Sequence, residues 1–287
     1  MDFLDCRLYE SGMRMSTTPK MVFIGGHTKS GTTFVGRALD LFDNVCVKGE
    51  MDYFRQFFAQ LNGIANKYNS GNELINREVY DGQGTLVPID ENMMADIHRS
   101  IFTRLYCAGT EVPDDARFWV EKSPYNIYYT AAIRLIFPDA AIVCVYREPK
   151  AVFRSLVRHL ADHRDAKHED LHSQARKDTL DSFLKRWKNY IAHLEKFRER
   201  IILVQYQRVA DDKQGFIDFA RKSIFEENLG LCAPIETLSK ENYLKSLPEE
   251  ARAKSLVQIG PYKVELSDEE LDTIEANCRP VKTTFDF

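Results

Sequence analysis

One segment limits the fold of this chain more than any other: residues 21 to 42, MVFIGGHTKSGTTFVGRALDLF. Its first part is an unbroken apolar run closed by Gly25 and Gly26, the pattern of a short strand buried on both faces. Its last part places Phe34, Val35, Ala38, Leu39 and Phe42 at helical spacing. Only His27 to Gly31 remain to turn the strand into the helix. A buried strand that passes so tightly into a helix belongs to a crossover unit, so the expected fold class is α/β with a parallel sheet.

The alternation continues along the chain. NVCVKGE is a second short strand ending at Glu50, RFWVEKSP a third running into a turn, AAIVCVYREP a fourth and RIILVQY a fifth. Residues 51 to 110 read as mostly helical, with breaks expected at KYNSGNE and YDGQGT. YNIYYTAAIRLIF, KAVFRSLVRHL and TLDSFLKRWKNYIAHLEKF carry helical periodicity, and the region beyond 208 is mainly helical with a loop near IGPYKVELSDEE. Residues 162 to 178 are almost wholly polar and read as a solvated loop or helix beside the site. No linker divides the chain. The expectation is an N-terminal tail, 1–19, then one domain, 20–287, with a central parallel sheet flanked by helices.

Composition enters where it excludes functions. The chain has 287 residues, 44% of them hydrophobic, enough for a substantial core. A formal net charge of −4 weighs against a general nucleic-acid binder. The six cysteines form no CxxC pair, which fits free thiols in a reducing compartment. There is no apolar stretch of roughly 18 residues and no signal-peptide block near the start, so the expectation is a cytoplasmic protein with no membrane partner. The pairs His159/His163 and His168/His172 have i,i+4 spacing but lack the carboxylate-histidine context of a metalloenzyme. No metal is expected, and the oligomeric state stays open.

The turn at 27 to 31 has the parts of an anion cradle. Backbone N–H groups at a helix N-terminus point at one spot, and the helix dipole is positive there. Lys29 adds a full charge, Thr28, Ser30, Thr32 and Thr33 add hydroxyls, and Gly31 allows close backbone approach. The bland alternative is an ordinary turn with capping hydroxyls. A Walker A loop would set its lysine directly after the last glycine, whereas Lys29 precedes Gly31 by two residues. A second phosphate contact comes from VYREPKAVFRSLVRH. Arg147 follows the fourth strand at its carboxyl end, where open α/β sheets bind ligands, and Pro149 can start a helix. Ser155, eight residues after Arg147, can face the same cleft.

Together these segments resemble the sulfotransferase superfamily, whose donor is 3′-phosphoadenosine 5′-phosphosulfate (PAPS). Its 5′-phosphosulfate loop, Lys/Arg-Ser-Gly-Thr-Thr, is matched by Lys29, Ser30, Gly31, Thr32 and Thr33, and its 3′-phosphate motif by Arg147, Pro149 and Ser155. Softer similarity extends from about 20 to 212 through VKGEMDYF, VEKSPYN, the helix around Trp187 and RIILVQYQRVADD. The catalytic histidine of the cytosolic branch has no counterpart in VEKSPYNIYY, and Phe34 stands where that branch has tryptophan. The resemblance is closer to branches that use a glutamate base, in a soluble, bacterial-type member.

That resemblance implies transfer of a sulfuryl group from PAPS to a hydroxyl or amine of a small-molecule or sugar acceptor. It implies that Lys29 stabilises the bridging oxygen, that Thr32 and Thr33 hold the 5′-phosphate, and that Arg147 and Ser155 hold the 3′-phosphate. The base position falls on Glu50, with His159 and then His27 as alternatives. Lys122 could support the sulfonate or pair with an acid. Phe183 and Trp187 read as core rather than as an adenine platform. A P-loop-type kinase or NTPase, and a non-catalytic nucleotide-binding protein, are the competing functions.

Overall fold

The computed structural model describes residues 19–84, 86–108, 112–163, 174–238, 264–279, 281 and 284–287. Every strand expected from the sequence is present: β1 (Lys20–Gly26), β2 (Val45–Lys48), β3 (Phe118–Lys122), β4 (Ala141–Tyr146) and β5 (Ile202–Gln205). They form one five-stranded sheet in the order β2-β3-β1-β4-β5, and all its pairings are parallel. The chain leaves β1 towards β2 on one side and leaves β4 towards β5 on the other. That reversal opens a crevice at the carboxyl ends of β1 and β4, which is where such sheets take ligands.

Side-chain alternation along the strands feeds two cores. Met21, Phe23, Trp119, Ile142 and Cys144 face one side, and Val22, Ile24, Phe118, Val120, Val143 and Val145 face the other. Helix α1 (Thr32–Leu39) packs Val35, Ala38 and Leu39 on the second face. A turn of π-helix, Phe54–Phe58, runs into α2 (Ala59–Glu78), followed by α3 (Glu91–Cys107). The π-turn's Phe54 and α3's Phe102 and Tyr106 lie on the first face. A 3₁₀ turn, Pro124–Tyr129, precedes α4 (Thr130–Ile136). Next come α5 (Pro149–His163), which opens on its proline as expected, and α6 (Gln174–Lys196). After β5 follow α7 (Tyr206–Asp211), α8 (Lys213–Ala220), a π-turn at Arg221–Phe225 and α9 (Asp268–Asn277). Phe183 and Trp187 on α6 are 0% and 1% exposed, so they are core residues; each contributes roughly 1.5–3 kcal/mol by burial.

Two local expectations are corrected. KYNSGNE does not break the helix, because α2 runs through it. Asn69 spends its side chain on both backbone groups of distant Ile89, at 2.8 Å each, and Asn72 is buried. Asn69 is thus not left to compete for its own backbone, which is how Asn ordinarily ends helices. YNIYYTAAIRLIF begins as a 3₁₀ turn rather than a helix, with Asn126 bonded to Ile24 O and to Glu121. The expected turn at YDGQGT is present, with left-handed Asp81 and Gly82. The N-terminal tail, IGPYK, Cys6, His168 and His172 lie outside the described residues, as does most of the polar 162–178 segment.

Candidate active site

The turn that leaves β1 enters α1 through two left-handed residues. Lys29 has φ 70°, and Gly31, the N-cap of α1, has φ 101°. Such reversals tip successive N–H groups towards one concavity, an arrangement that receives anions. The Ser30 N–H closes the turn on His27 O at 2.9 Å. Thr32 and Thr33 are the first helical residues, so their N–H groups have no intrahelical acceptor. No side chain caps the helix. The N-cap is a glycine, so no hydroxyl of the turn is spent at that position.

The turn forms one wall of a cleft of about 400 Å³, a volume within the range of small-molecule sites. Thr28, Lys29, Gly31, Thr32 and Thr33 line it from the β1 side, Arg147 and Ser155 from the β4 side, and Glu50 from beyond β2. Segments far apart in sequence thus share one crevice, the one opened by the sheet's reversal. Four predicted residues, Ser30, His159, His27 and Lys122, are not among those lining it. Ser30 is fully buried, with its Oγ turned inward and unpartnered among the described residues. His159 stands on α5 with intermediate exposure, away from the lining.

Arg147 is held in place before any ligand arrives. Its Nη1 donates to Lys29 O at 3.3 Å, and its guanidinium lies 4.5 Å from the ring centre of Tyr206. Its Nε is buried without a partner among the described residues. Burial lowers the pKa of Arg147, Tyr206 offsets this, and the charges of Arg158 and Arg154 lower it further. A guanidinium nevertheless stays charged at any ordinary pH. Like charges gathered in a half-buried place make a strong attractor for an anion with several oxygens.

Glu50 is paired with a cation. Lys122 Nζ donates to its Oε1 at 2.7 Å, with the lysine side chain 10% exposed and the glutamate's 55%. Lys122 therefore pairs with an acid, and the acid is the predicted base itself. His27 is 3% exposed; its Nδ1 lies 2.8 Å from Thr28 O, and its ring packs against Phe183, Trp187 and Tyr190. Burial, the largest cause, lowers its pKa to about 4. His27 is a neutral core group under the turn and does not line the cleft.

Four lining residues carried no functional assignment from sequence: Phe34, Arg37, Pro124 and Tyr206. Tyr206 follows β5 directly, at the carboxyl end of a parallel strand, and the positional rule that singled out Arg147 would have found it too. A side chain on Gly31 would collide with its ring. Among the described residues no cluster of three or more His, Cys, Asp or Glu could hold a metal, and no helix is long and apolar enough to cross a membrane. Cys46, Cys107, Cys144, Cys232 and Cys278 are free thiols, of which Cys46, Cys144 and Cys278 are buried.

A sequence model of the sulfotransferase family matches residues 19–218. No curated protein sequence gives a significant match. Among solved structures, mouse sulfotransferase SULT7A1 complexed with PAP is similar at TM-score 0.51 and 10% identity, over 94% of this chain and 86% of that one. A sulfotransferase from Alicyclobacillus acidocaldarius aligns at TM-score 0.46 and 17% identity, over 84% of this chain and 96% of that one.

Proposed function

We propose that this chain, which belongs to the sulfotransferase family, transfers the sulfuryl group of PAPS to a hydroxyl or amine of a small-molecule or carbohydrate acceptor. The observation that carries the proposal is the meeting, in one cleft, of the 27–31 turn, of Arg147 with Ser155, and of Glu50. Two anion-holding elements face each other, and a carboxylate stands on the third wall. A donor with phosphates at both ends of its ribose suits that arrangement, and the PAP in the mouse neighbour is in keeping with it.

The roles follow from position. The amides and hydroxyls of Thr32 and Thr33, with Thr28 beside them, hold the 5′-phosphate. Arg147 and Ser155 hold the 3′-phosphate, the arginine pre-set by Tyr206 and Lys29 O. Lys29 stabilises the charge that grows on the bridging oxygen as the S–O bond breaks. The acceptor oxygen attacks sulfur in line with that bond, and Glu50 takes its proton. Lys122 starts paired with Glu50 and can turn to the transferring sulfonate, which releases the carboxylate for its work. His159 is the second choice for the base. Positive side chains and amides already oppose the charge, so the mechanism calls for no metal. The buried free thiols of Cys46, Cys144 and Cys278 suit a cytoplasmic setting.

The test separates binding from chemistry. Calorimetry with adenosine 3′,5′-bisphosphate, AMP and ATP reads the donor site. Arg147→Ala should weaken the bisphosphate by about 2–5 kcal/mol, the range for a truncated charge pair, and leave AMP nearly unchanged. Labelled PAPS offered to a panel of monosaccharides, amino sugars and phenols reads transfer. Glu50→Gln should lower turnover by roughly 10²–10⁴ with donor affinity kept. Equal bisphosphate binding by wild type and Arg147→Ala would refute the donor assignment, and normal turnover in Glu50→Gln with collapse in His159→Ala would move the base.

A further inference from the structure

The carboxylate of Glu50 hangs beyond the end of a ladder. β2 and β3 pair only as far as Lys48 opposite Glu121, so no sheet bond fixes residues 50 to 52. Their position comes instead from side chains of three consecutive residues at the end of β3. Lys122 Nζ donates to Glu50 Oε1 at 2.7 Å. The Met51 N–H donates to Glu121 Oε1 at 3.1 Å. The Asp52 N–H donates to Ser123 Oγ at 3.1 Å, and that hydroxyl donates to Glu121 Oε1 at 2.5 Å. Residues 121, 122 and 123 thus grip 51, 50 and 52 in turn.

Glu121 is the hub of the grip, and it does not touch the cleft. It is 1% exposed, and its second oxygen accepts from Asn126 Nδ2 at 2.6 Å. Asn126 in turn donates to Ile24 O at 3.1 Å, near the end of β1. Burial, as the largest cause, raises the pKa of Glu121, while Ser123, Asn126 and the Met51 amide oppose it. A carboxylate buried among three donors and aimed at a neighbouring turn is an expensive way to fill space. The gripped turn is itself unusual: Asp52 has φ 52°, a left-handed conformation that persists where surrounding bonds over-determine it.

We infer that Glu121 is a positioning residue for the base. It locks the Met51 and Asp52 amides so that the Glu50 carboxylate, paired with Lys122, is held at the cleft. The inference rests on the reading of Glu50 as the base, and the experiment keeps the two apart.

Glu121→Gln keeps the shape but turns one acceptor oxygen into an NH₂ group, which must face either the Asn126 NH₂ group or the Met51 amide and Ser123 hydroxyl, so the hub loses at least one bond and its hold on the turn loosens. Two readouts are taken on the full chain. Exchange of the Met51 and Asp52 amides, followed by mass spectrometry of the peptide around them, should speed up at least tenfold while exchange in β1 stays unchanged. Turnover of labelled PAPS with a reactive member of the acceptor panel, or with water where none reacts, should fall 10- to 100-fold, and affinity for adenosine 3′,5′-bisphosphate should stay within twofold. In a Glu50→Gln background the same substitution should cost less than threefold, because the group it positions is already gone.

Unchanged exchange and turnover in Glu121→Gln would overturn the inference while leaving the base reading intact. So would a full extra loss in the Glu50→Gln background, which would make Glu121 a general fold residue. Normal turnover in Glu50→Gln alone would instead sink the base reading, and the positioning role with it. Should Glu121→Gln fail to fold, Ser123→Ala carries the same pair of readouts, since it removes the acceptor of the Asp52 amide and one of the donors to Glu121. Turnover and amide exchange unchanged in that variant would likewise overturn the inference.

Discussion

Gly31→Ala strikes the cradle at its tightest point, and the structure divides its cost into two parts. The first is backbone strain: at φ 101° a residue with a Cβ loses roughly 1–2 kcal/mol. The second is overlap, because the new methyl meets the ring of Tyr206. That ring cannot swing away freely, since it packs edge-on against Phe34 at 5.7 Å and lies under the Arg147 guanidinium at 4.5 Å. Displacing it is an overpacking cost of about 1–3 kcal/mol. The total is about 2–5 kcal/mol, a fall in Tm on the order of 10 °C for a chain of this size. The partition is testable by a cycle with Tyr206→Ala. With the ring gone, Gly31→Ala should keep only its backbone part, so the two substitutions should couple by about 1–3 kcal/mol. Urea unfolding of the four proteins measures the coupling, and calorimetry with adenosine 3′,5′-bisphosphate measures the damage to the site. Additive effects, within about 0.5 kcal/mol, would refute the claim that Gly31 is there to admit Tyr206.

Two further outcomes follow from the site. Burial holds His27 near pKa 4 against an ordinary 6.5, so the unfolded chain takes up its proton first. Its stabilisation is complete above pH 6.5 and is lost as pH falls through 4, about 3 kcal/mol in all; His27→Gln should flatten that part of the acid limb of an unfolding curve, leaving the part due to His98, which burial also lowers to about 4. Turnover should survive EDTA, because Lys29, Arg147 and the α1 N-terminus face the transferred charge; total loss restored by magnesium would favour a kinase instead.

The framework of this fold could be read from local pattern. Five apolar runs became five strands because a parallel sheet buries both faces and leaves an almost continuous hydrophobic signature. Lys29, Arg147 and Ser155 were legible because each follows a strand end or sits at a helical offset from one. What escaped were pairings that cross the chain. Nothing near Tyr206 says that its ring will lie under Arg147, and nothing near Glu121 says that it will accept the Met51 amide. Asn69 misled for the same reason, since its partner Ile89 lies beyond a turn and its own neighbours look like a helix break. Ser30 shows the limit within a motif: sequence gives a hydroxyl beside a lysine but not which way it points.

On the function proposed above, the sheet order makes a two-pronged gauge for the donor. β1 and β4 are neighbours with Gly26 opposite Val145, so the elements bearing Lys29 and Arg147 start about 4.8 Å apart across one ladder. That interval cannot be adjusted gradually, because slipping the register by one residue would turn every buried side chain to the wrong face. Glu50 follows β2, an edge strand with a single neighbour, and past Lys48 it has no ladder at all. An engineer seeking new acceptors would therefore keep the gripped residues 50 to 52 and randomise exposed positions of α2, while the strands on the donor side stay untouched.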